Sequence, residues 1–365
     1  MMSLQRMKKL QEQIGRIHPP SDKSILLFER NLRKIVNTVN EKFRIEAKYP
    51  NWPDVNEKID FLQDAHSHFA NMYLGIHQFK LYENLVEELQ WYTSMLKSRG
   101  ISLAYFSEMV TAWIIAIHTN CPPEAAGELV RPLDLLKTYD MEIFNTPEAP
   151  VPEPDKELVD FLQLLFKNRR RDAIRHLSEY QKTGDSLEEI LSRIIIPCVQ
   201  HVGYLWEQNE ISVAEEHTAT GALRSVFDAF CRSIPNSGDI PYELILSCVP
   251  GNEHELIVEI LAGYLETKGW KVLFIGHSTP EDELVHTISA SSAFALLLSI
   301  ALIAHLPSAK SLMERVQKEK GDIRILAGGR AALIGQSGLL NLADAVVADF
   351  EEAHVILEKM VNKDA

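Results

Sequence analysis

Residues 243–276, ELILSCVPGNEHELIVEILAGYLETKGWKVLFIG, decide the fold of the C-terminal part of this chain. The segment opens with a short apolar run (243–249), turns at Pro250–His254, continues through an amphipathic stretch of helical length, and closes on a second apolar run (270–275). The run–helix–run pattern repeats downstream, with further short β-rich runs at 294–300, 323–326 and 343–347. Strands that alternate with helices predict right-handed βαβ crossovers and a doubly wound parallel sheet. Ligands of such sheets lie off the carboxyl ends of the strands. The loops expected there are 250–254, 276–279, 299–305 and Gly328-Gly329-Arg330. Thr279-Pro280-Glu281-Asp282 reads as a helix start, with a threonine cap, proline at the first helical position and acids in the first turn.

Upstream, the turn formers of 233–241 mark a soft boundary, and residues 155–232 read as four helical pieces. The third begins with Ser186-Leu-Glu-Glu189, a capping box, and carries an apolar face through Ile190, Ile194, Cys198 and Val202. Residues 145–154 place four prolines in alternating positions, which predicts an extended linker. Everything before it reads as a bundle or globin-like stack of about five helices: 24–43, 54–70, 72–98, 103–118 and 124–139. The expected organisation is multidomain, α and α/β. It comprises a helical domain (1–144), the linker, a four-helix segment (155–235) and a parallel-sheet domain (240–365).

A length of 365 residues calls for two or three domains, and 46% hydrophobic with 24% charged residues is the balance of a folded globular chain. A net charge of −14 argues against a grip on nucleic-acid backbones. The longest apolar run, 293–303, is too short to span a membrane. The four cysteines are widely spaced, with no Cys-x-x-Cys, so a reducing, cytoplasmic setting is expected, with no disulfide frame or zinc site. The N-terminal MMSLQRMKKLQEQIG is too polar for a secretory signal.

Two groups of residues carry chemistry. Trp206 is separated by nine residues from Glu216-His217 on consecutive helical segments, and Gly251-Asn252-Glu253-His254 follows the first strand. Taken alone, Trp206 reads as a core aromatic and Glu216-His217 as a solvated helix face. In this order they resemble the two sides of a corrinoid site. Residues 185–350 resemble the cobalamin-binding module of methionine synthase and corrinoid proteins, most closely that of the cobalamin-dependent photoreceptors that repress carotenoid genes. The matching stretches are IIPCVQHVGYLWEQNEISVAEEHTATGALRSV, CVPGNEHELIVEILAGYLETKGWKVLFIG, LLLSIAL and ILAGGRAAL.

The resemblance implies a four-helix cobalamin cap over a doubly wound cobalamin-binding domain. It makes His254 the lower cobalt ligand, a neutral imidazole offering one lone pair. Ser299 and Gly328-Gly329 would receive the cofactor's nucleotide tail, with glycines because a side chain would fill its slot. The motif departs from the family in two places. Asn252 stands where the family has an acid and Ile257 where it has glycine. An amide can orient the histidine ring but adds no charge. On the upper face Trp206 would cover an adenosyl group, Glu216 would bond its ribose or a neighbouring chain, and His217 would capture cobalt once light expels adenosine.

The N-terminal half lacks the winged helix-turn-helix of the carotenoid repressors, so direct DNA binding is not expected. The layout resembles photocobilins, which pair a globin-like bilin domain with the cobalamin module. Candidate residues for a biliverdin pocket are His77, Arg99, Trp113 and His118, with His66, His68, Trp91, Tyr92 and a covalent link through Cys121 also considered. Haem on His77 or His118 is a competing reading. The reading is of a non-enzymatic sensor holding adenosylcobalamin and biliverdin, acting on an unidentified protein partner, with homo-oligomerisation open. The alternatives are a corrinoid methyl carrier of a methyltransferase system and a light-independent corrinoid-binding adaptor.

Overall fold

The computed structural model describes residues 2–46, 58–145, 153–235 and 238–364. The chain divides into two compact units, Met1–Val151 and Pro152–Ala365. Most of the expected linker, residues 146–152, lies outside the described residues, as do 236–237 of the softer boundary.

The first unit is helical: α1 (Met2–Gly15), α2 (Asp22–Glu46), α3 (Ile59–Phe79), α4 (Tyr82–Ser98), α5 (Leu103–Asn120), α6 (Pro123–Leu129) and α7 (Arg131–Lys137). α1 was not among the expected helices. Its polar residues dilute the pattern, yet Met7, Leu10 and Ile14 fall on one stripe and are buried. The expected break near residue 71 is instead at Lys80, whose left-handed φ of 57° ends α3 while its N–H bonds the Ile76 carbonyl. No glycine or proline announces that turn. The stretch expected as one helix over 124–139 is split in two at Val130. The core is aromatic, with Trp113, Tyr73, Tyr92 and Tyr105 fully buried.

The second unit starts with four helical pieces: α8 (Lys156–Phe166), α9 (Arg170–Thr183), a third running from α10 (Leu187–Ile190) to α11 (Ile196–Glu207), and α12 (Val213–Cys231). Within the third piece, Leu191–Ile195 forms a π turn, and the Ile196 N–H reaches back to Leu191. Pro197 follows at once and has no N–H to give, which favours a widened turn there. The Ser186–Glu189 capping box forms as read, and a second one, Ser212–Glu215, opens α12.

The sheet follows: β1 (Glu243–Cys248), α13 (Leu256–Thr267), β2 (Lys271–Gly276), α14 (Glu281–Ala290), β3 (Ala295–Ser299), α15 (Leu306–Glu319), β4 (Arg324–Gly328), α16 (Arg330–Ile334), α17 (Gln336–Leu339), β5 (Ala345–Val347) and α18 (Phe350–Asp364). All neighbours pair parallel, in the order β2-β1-β3-β4-β5. α14 departs from its expected start: Pro280 is the cap itself, and no side chain caps the helix. The chain leaves β1 toward one edge and returns to β3 on its other side. That reversal opens a crevice beyond the ends of β1 and β3, where a ligand is expected. Helix α12 packs on α13 closely enough that a Cβ on Gly263 would lie 3.2 Å from the Phe227 ring. One continuous hydrophobic core therefore joins the helices of 156–231 to the sheet.

Candidate functional site

The loop leaving β1 is tied down before it reaches His254. Val249 donates its N–H to the Ser299 carbonyl at the end of β3, at 3.3 Å, and Asn252 donates its own to Val249 at 3.0 Å. The Asn252 side chain is fully buried. Its Nδ2 donates to the Ser299 carbonyl and its Oδ1 accepts the His254 backbone N–H, both at 3.0 Å. This corrects the expectation that the amide orients the imidazole, since Asn252 holds the backbone of His254 and not its ring. From α15, Ser308 Oγ donates to the Pro250 carbonyl at 2.8 Å and fixes the other side of the loop.

His254 stands at an exposed position at the crevice. Nevertheless the protein crowded around it lowers its pKa below the ordinary histidine value, against the opposing pull of Glu253 and Glu216. A neutral imidazole with an available lone pair is the state a metal needs. The His305 ring, which ends the loop after β3, lies 6.2 Å away centre to centre.

On α12 Glu216 is half-buried and accepts or shares a 2.5 Å hydrogen bond with Nδ1 of His217, which is itself exposed. Trp206, in the last turn of α11, is half-buried, as are its neighbours Tyr204 and Leu205. The turn between the two helices passes through Asn209 in a left-handed conformation, φ 57°. Ser212 then restarts the helix by accepting from Glu215 N–H.

The sheet ends supply the remaining expected residues. Ser299 lies in register with Cys248 on one side and Gly328 on the other. At Gly328 a Cβ would meet only Val347, at 3.3 Å. Gly329 has φ +102°, and a Cβ there would lie 2.6 Å from the Ile300 carbonyl oxygen. That carbonyl accepts from Ala331 N–H, while Ile300 donates to Gly328. Gly329 is thus required by the close crossing of two loops of this chain, a reason separate from any ligand slot.

Three residues at the site were missed by the sequence reading: Glu255, His277 and Arg224. The Glu255 carboxylate accepts from Arg224 Nη2 at 2.7 Å and faces His277 Nδ1 at 2.5 Å. A charged residue directly after His254 was the available signal for the first. The other two are brought in only by the fold. His277 is aimed by a bulge in β2, where the register with β1 skips a residue before Gly276, φ +75°.

In the first unit, the four residues proposed for a bilin pocket are seated differently from one another. His77 and Trp113 are fully buried and are linked by a series of ring contacts, His77 edge-on to Tyr73, Tyr73 stacked on Phe69, and Phe69 tilted against Trp113. His77 Nδ1 pairs with the Tyr82 hydroxyl at 2.7 Å, and burial pushes its pKa down to about 3. Among the described residues, His77 Nε2 and Trp113 Nε1 are buried without hydrogen-bond partners. Arg99 instead lies over the Phe61 ring at 5.2 Å, and His118 is exposed. His66, also considered for that pocket, is buried, bonding Asn40 Oδ1 at 2.6 Å and the Tyr105 hydroxyl at 2.7 Å. Burial lowers its pKa to about 4. His68 is half-buried against Trp91. Cys121 is buried and its thiol pKa is raised by burial, which keeps it from the thiolate form.

Comparison with known proteins bears on the second unit. Residues 158–230 and 242–358 each match a family model described as a B12 binding domain. No curated protein matches the chain. Among solved structures, the monomethylamine corrinoid protein of Methanosarcina barkeri is 16% identical, covering 56% of this chain and 98% of its own, with a TM-score of 0.44. A cobalamin-binding protein of Desulfitobacterium hafniense DCB-2 is 17% identical over 55% of this chain and 97% of its own, TM-score 0.31. The methanol:cobalamin methyltransferase complex of Methanosarcina barkeri is 16% identical over 63% and 92%, TM-score 0.31.

The chain therefore carries a cobalamin-binding module made of the helical segment and the parallel sheet. The residues present fit the cofactor: a histidine held toward its neutral form at the switch point of the sheet, glycines at the end of β4, and a helical segment packed on the sheet domain through α12. No helix among the described residues is long and apolar enough to cross a membrane.

Proposed function

We propose that this protein is a non-enzymatic, cobalamin-dependent light sensor that binds adenosylcobalamin between the helical cap and the sheet. When bound, that cofactor supplies a cobalt–carbon bond that visible light breaks. The observation that supports the reading is the paired module: two B12-binding domain matches in sequence, with His254 on the loop leaving β1 and a Glu216–His217 hydrogen bond on the helix that packs on α13.

The residues then divide the work. His254, held neutral, would bind cobalt from below. Trp206 would lie over the adenosyl group and keep water off it, a covering worth roughly 2–3 kcal/mol if the indole becomes fully buried. Glu216 would take a hydrogen bond from the adenosyl ribose in the dark. His217 is exposed and hydrogen-bonded to Glu216, and it would exchange that partner for cobalt after loss of the adenosyl group. A change of partner at His217 would move the start of α12, and a downstream protein or a second copy of this chain would read the altered surface. His217→Ala tests this: it should bind adenosylcobalamin as the wild type does, yet fail to form a stable protein-bound spectrum after green light. A photoproduct identical in both proteins would refute the assignment and leave a methyl carrier or a light-independent adaptor.

Biliverdin in the N-terminal unit is a separate proposal, supported by the two buried, unpartnered nitrogens of His77 and Trp113. Titration with biliverdin should produce a red absorption band that His77→Ala weakens. The absence of that band would refute it without touching the cobalamin site.

A further inference from the structure

Glu255 follows the cobalt-ligand histidine directly, and both of its carboxylate oxygens are engaged. Oε1 takes Arg224 Nη2 from the cap helix α12, while Oε2 faces His277 from the loop after β2. The same Arg224 turns its Nε to Glu259, one turn into α13. Oε2 also lies over Gly276, 3.2 Å from where a Cβ would be, so any larger residue there would displace it. Three elements thus converge on a side chain adjacent to His254.

A groove of 340 Å³ runs along the seam of α12 and α13, bordered by Arg224, Phe227, Cys231, Glu259, Gly263 and Phe274. The two Arg224 ion pairs lie at its rim, beside the close approach of Phe227 to Gly263, and tie the cap helix to α13 where the seam opens to solvent.

We infer that Arg224 is a positioning residue that couples the seating of the cap helix to the cobalt-ligand loop through the Glu255 carboxylate. The inference rests on cobalamin binding at His254. Pulling α12 away drags Glu255, and with it the peptide that sets the His254 ring. Conversely, a ligand that held His254 in place would hold Glu255 as well and, through Arg224, would seat α12. Arginine suits the role because its planar fork serves two carboxylates at once, which a lysine ammonium does only as a point charge.

The test uses the full chain with histidine labelled by the heavy nitrogen isotope, loaded with cob(II)alamin. Electron paramagnetic resonance then reports how much of the cobalt carries a protein histidine. Hydrogen exchange of Val213–Cys231, with and without cofactor, reports the cap. In the wild type the cofactor should slow exchange through α12. Arg224→Met should bind roughly three- to tenfold more weakly, allowing for the screening of a partly exposed pair, lose part of the labelled-histidine signal, and lose most of the protection of α12. Arg224→Lys should fall between the two, and Glu255→Gln should repeat Arg224→Met. If Arg224→Met does not fold, the last two carry the test. Variants that keep both the wild-type histidine signal and the wild-type protection overturn the inference alone. A wild type that binds no cobalamin overturns the reading beneath it, and the inference with it.

Discussion

Replacing Asn252 by alanine strands the His254 backbone N–H, whose acceptor is Asn252 Oδ1, and leaves the Ser299 carbonyl with only the longer bond from Val249. Asn252 is fully buried but His254 is exposed, so water can replace part of the lost hydrogen bonding. A loss of about 1–3 kcal/mol is expected. For a cooperative body of the size of Pro152–Ala365 that is a fall of about 2–12 °C in Tm. Asn252→Asp separates hydrogen bonding from shape. The new carboxylate keeps the His254 acceptor but sets an oxygen against the Ser299 carbonyl, which raises its folded pKa above the unfolded value. The folded protein then holds more protons, so stability relative to wild type is greatest below the unfolded pKa and is lost as pH rises through the folded one. Calorimetry of the three proteins between about pH 4.5 and 8 decides the matter. An alanine variant within about 1 kcal/mol of wild type, or an aspartate variant whose deficit ignores pH, would refute the role assigned to Asn252.

Other perturbations test separate parts of the account. Gly329→Ala must place a Cβ 2.6 Å from the Ile300 carbonyl at a positive φ, so a loss of about 2–4 kcal/mol is expected in urea unfolding, and an unchanged midpoint would contradict it. His66 and His77 have folded pKa values of about 4 and about 3, both depressed below the unfolded value. Their contribution is intact above an unfolded pKa of about 6.5 and is lost as pH falls below it, by about 3 kcal/mol each at pH ~4. Hydrogen exchange in Ile59–Phe79 should accelerate accordingly between about pH 6 and 4, and less so in His66→Gln. His254 also has a lowered pKa, so protein ligation of cobalt should persist in acid below the ordinary histidine range, and His254→Ala should abolish it at every pH. A wild-type titration at or above the ordinary histidine value would contradict the neutral ring.

The sheet was legible because its strands are short, apolar and regularly spaced. All five expected runs became strands, displaced by a residue or two, and the loops expected at their carboxyl ends are where His254, His277 and His305 gather. The helical segment was legible for a similar reason, since Ser186 and Glu189 announce their helix three residues apart. What failed was punctuation without glycine or proline: Lys80 takes a left-handed turn that its sequence does not advertise. Asn252 was expected to reach the His254 ring and holds the His254 backbone N–H instead, because a side chain two residues away meets that N–H first. Arg224 and Glu255 are 31 residues apart, and no local pattern links them. His66 shows the limit for histidine in a helix: its i±4 neighbours Leu62 and Ala70 are both apolar and put it on the buried stripe, but only Asn40 and Tyr105, from two other helices, supply the partners its ring needs there.

The most direct measurement is the absorption spectrum of the purified chain loaded with adenosylcobalamin in darkness, before and after green light, beside His217→Ala and His254→Ala. The free cofactor is itself light-sensitive, so the informative quantity is the protein-dependent product. The account predicts a stable, protein-bound spectrum in the wild type that requires both histidines, accompanied by a change in hydrodynamic size or in exchange across Val213–Cys231. Tight binding followed by the same photoproduct in all three proteins would contradict the sensor and leave a cobalamin carrier or adaptor in its place.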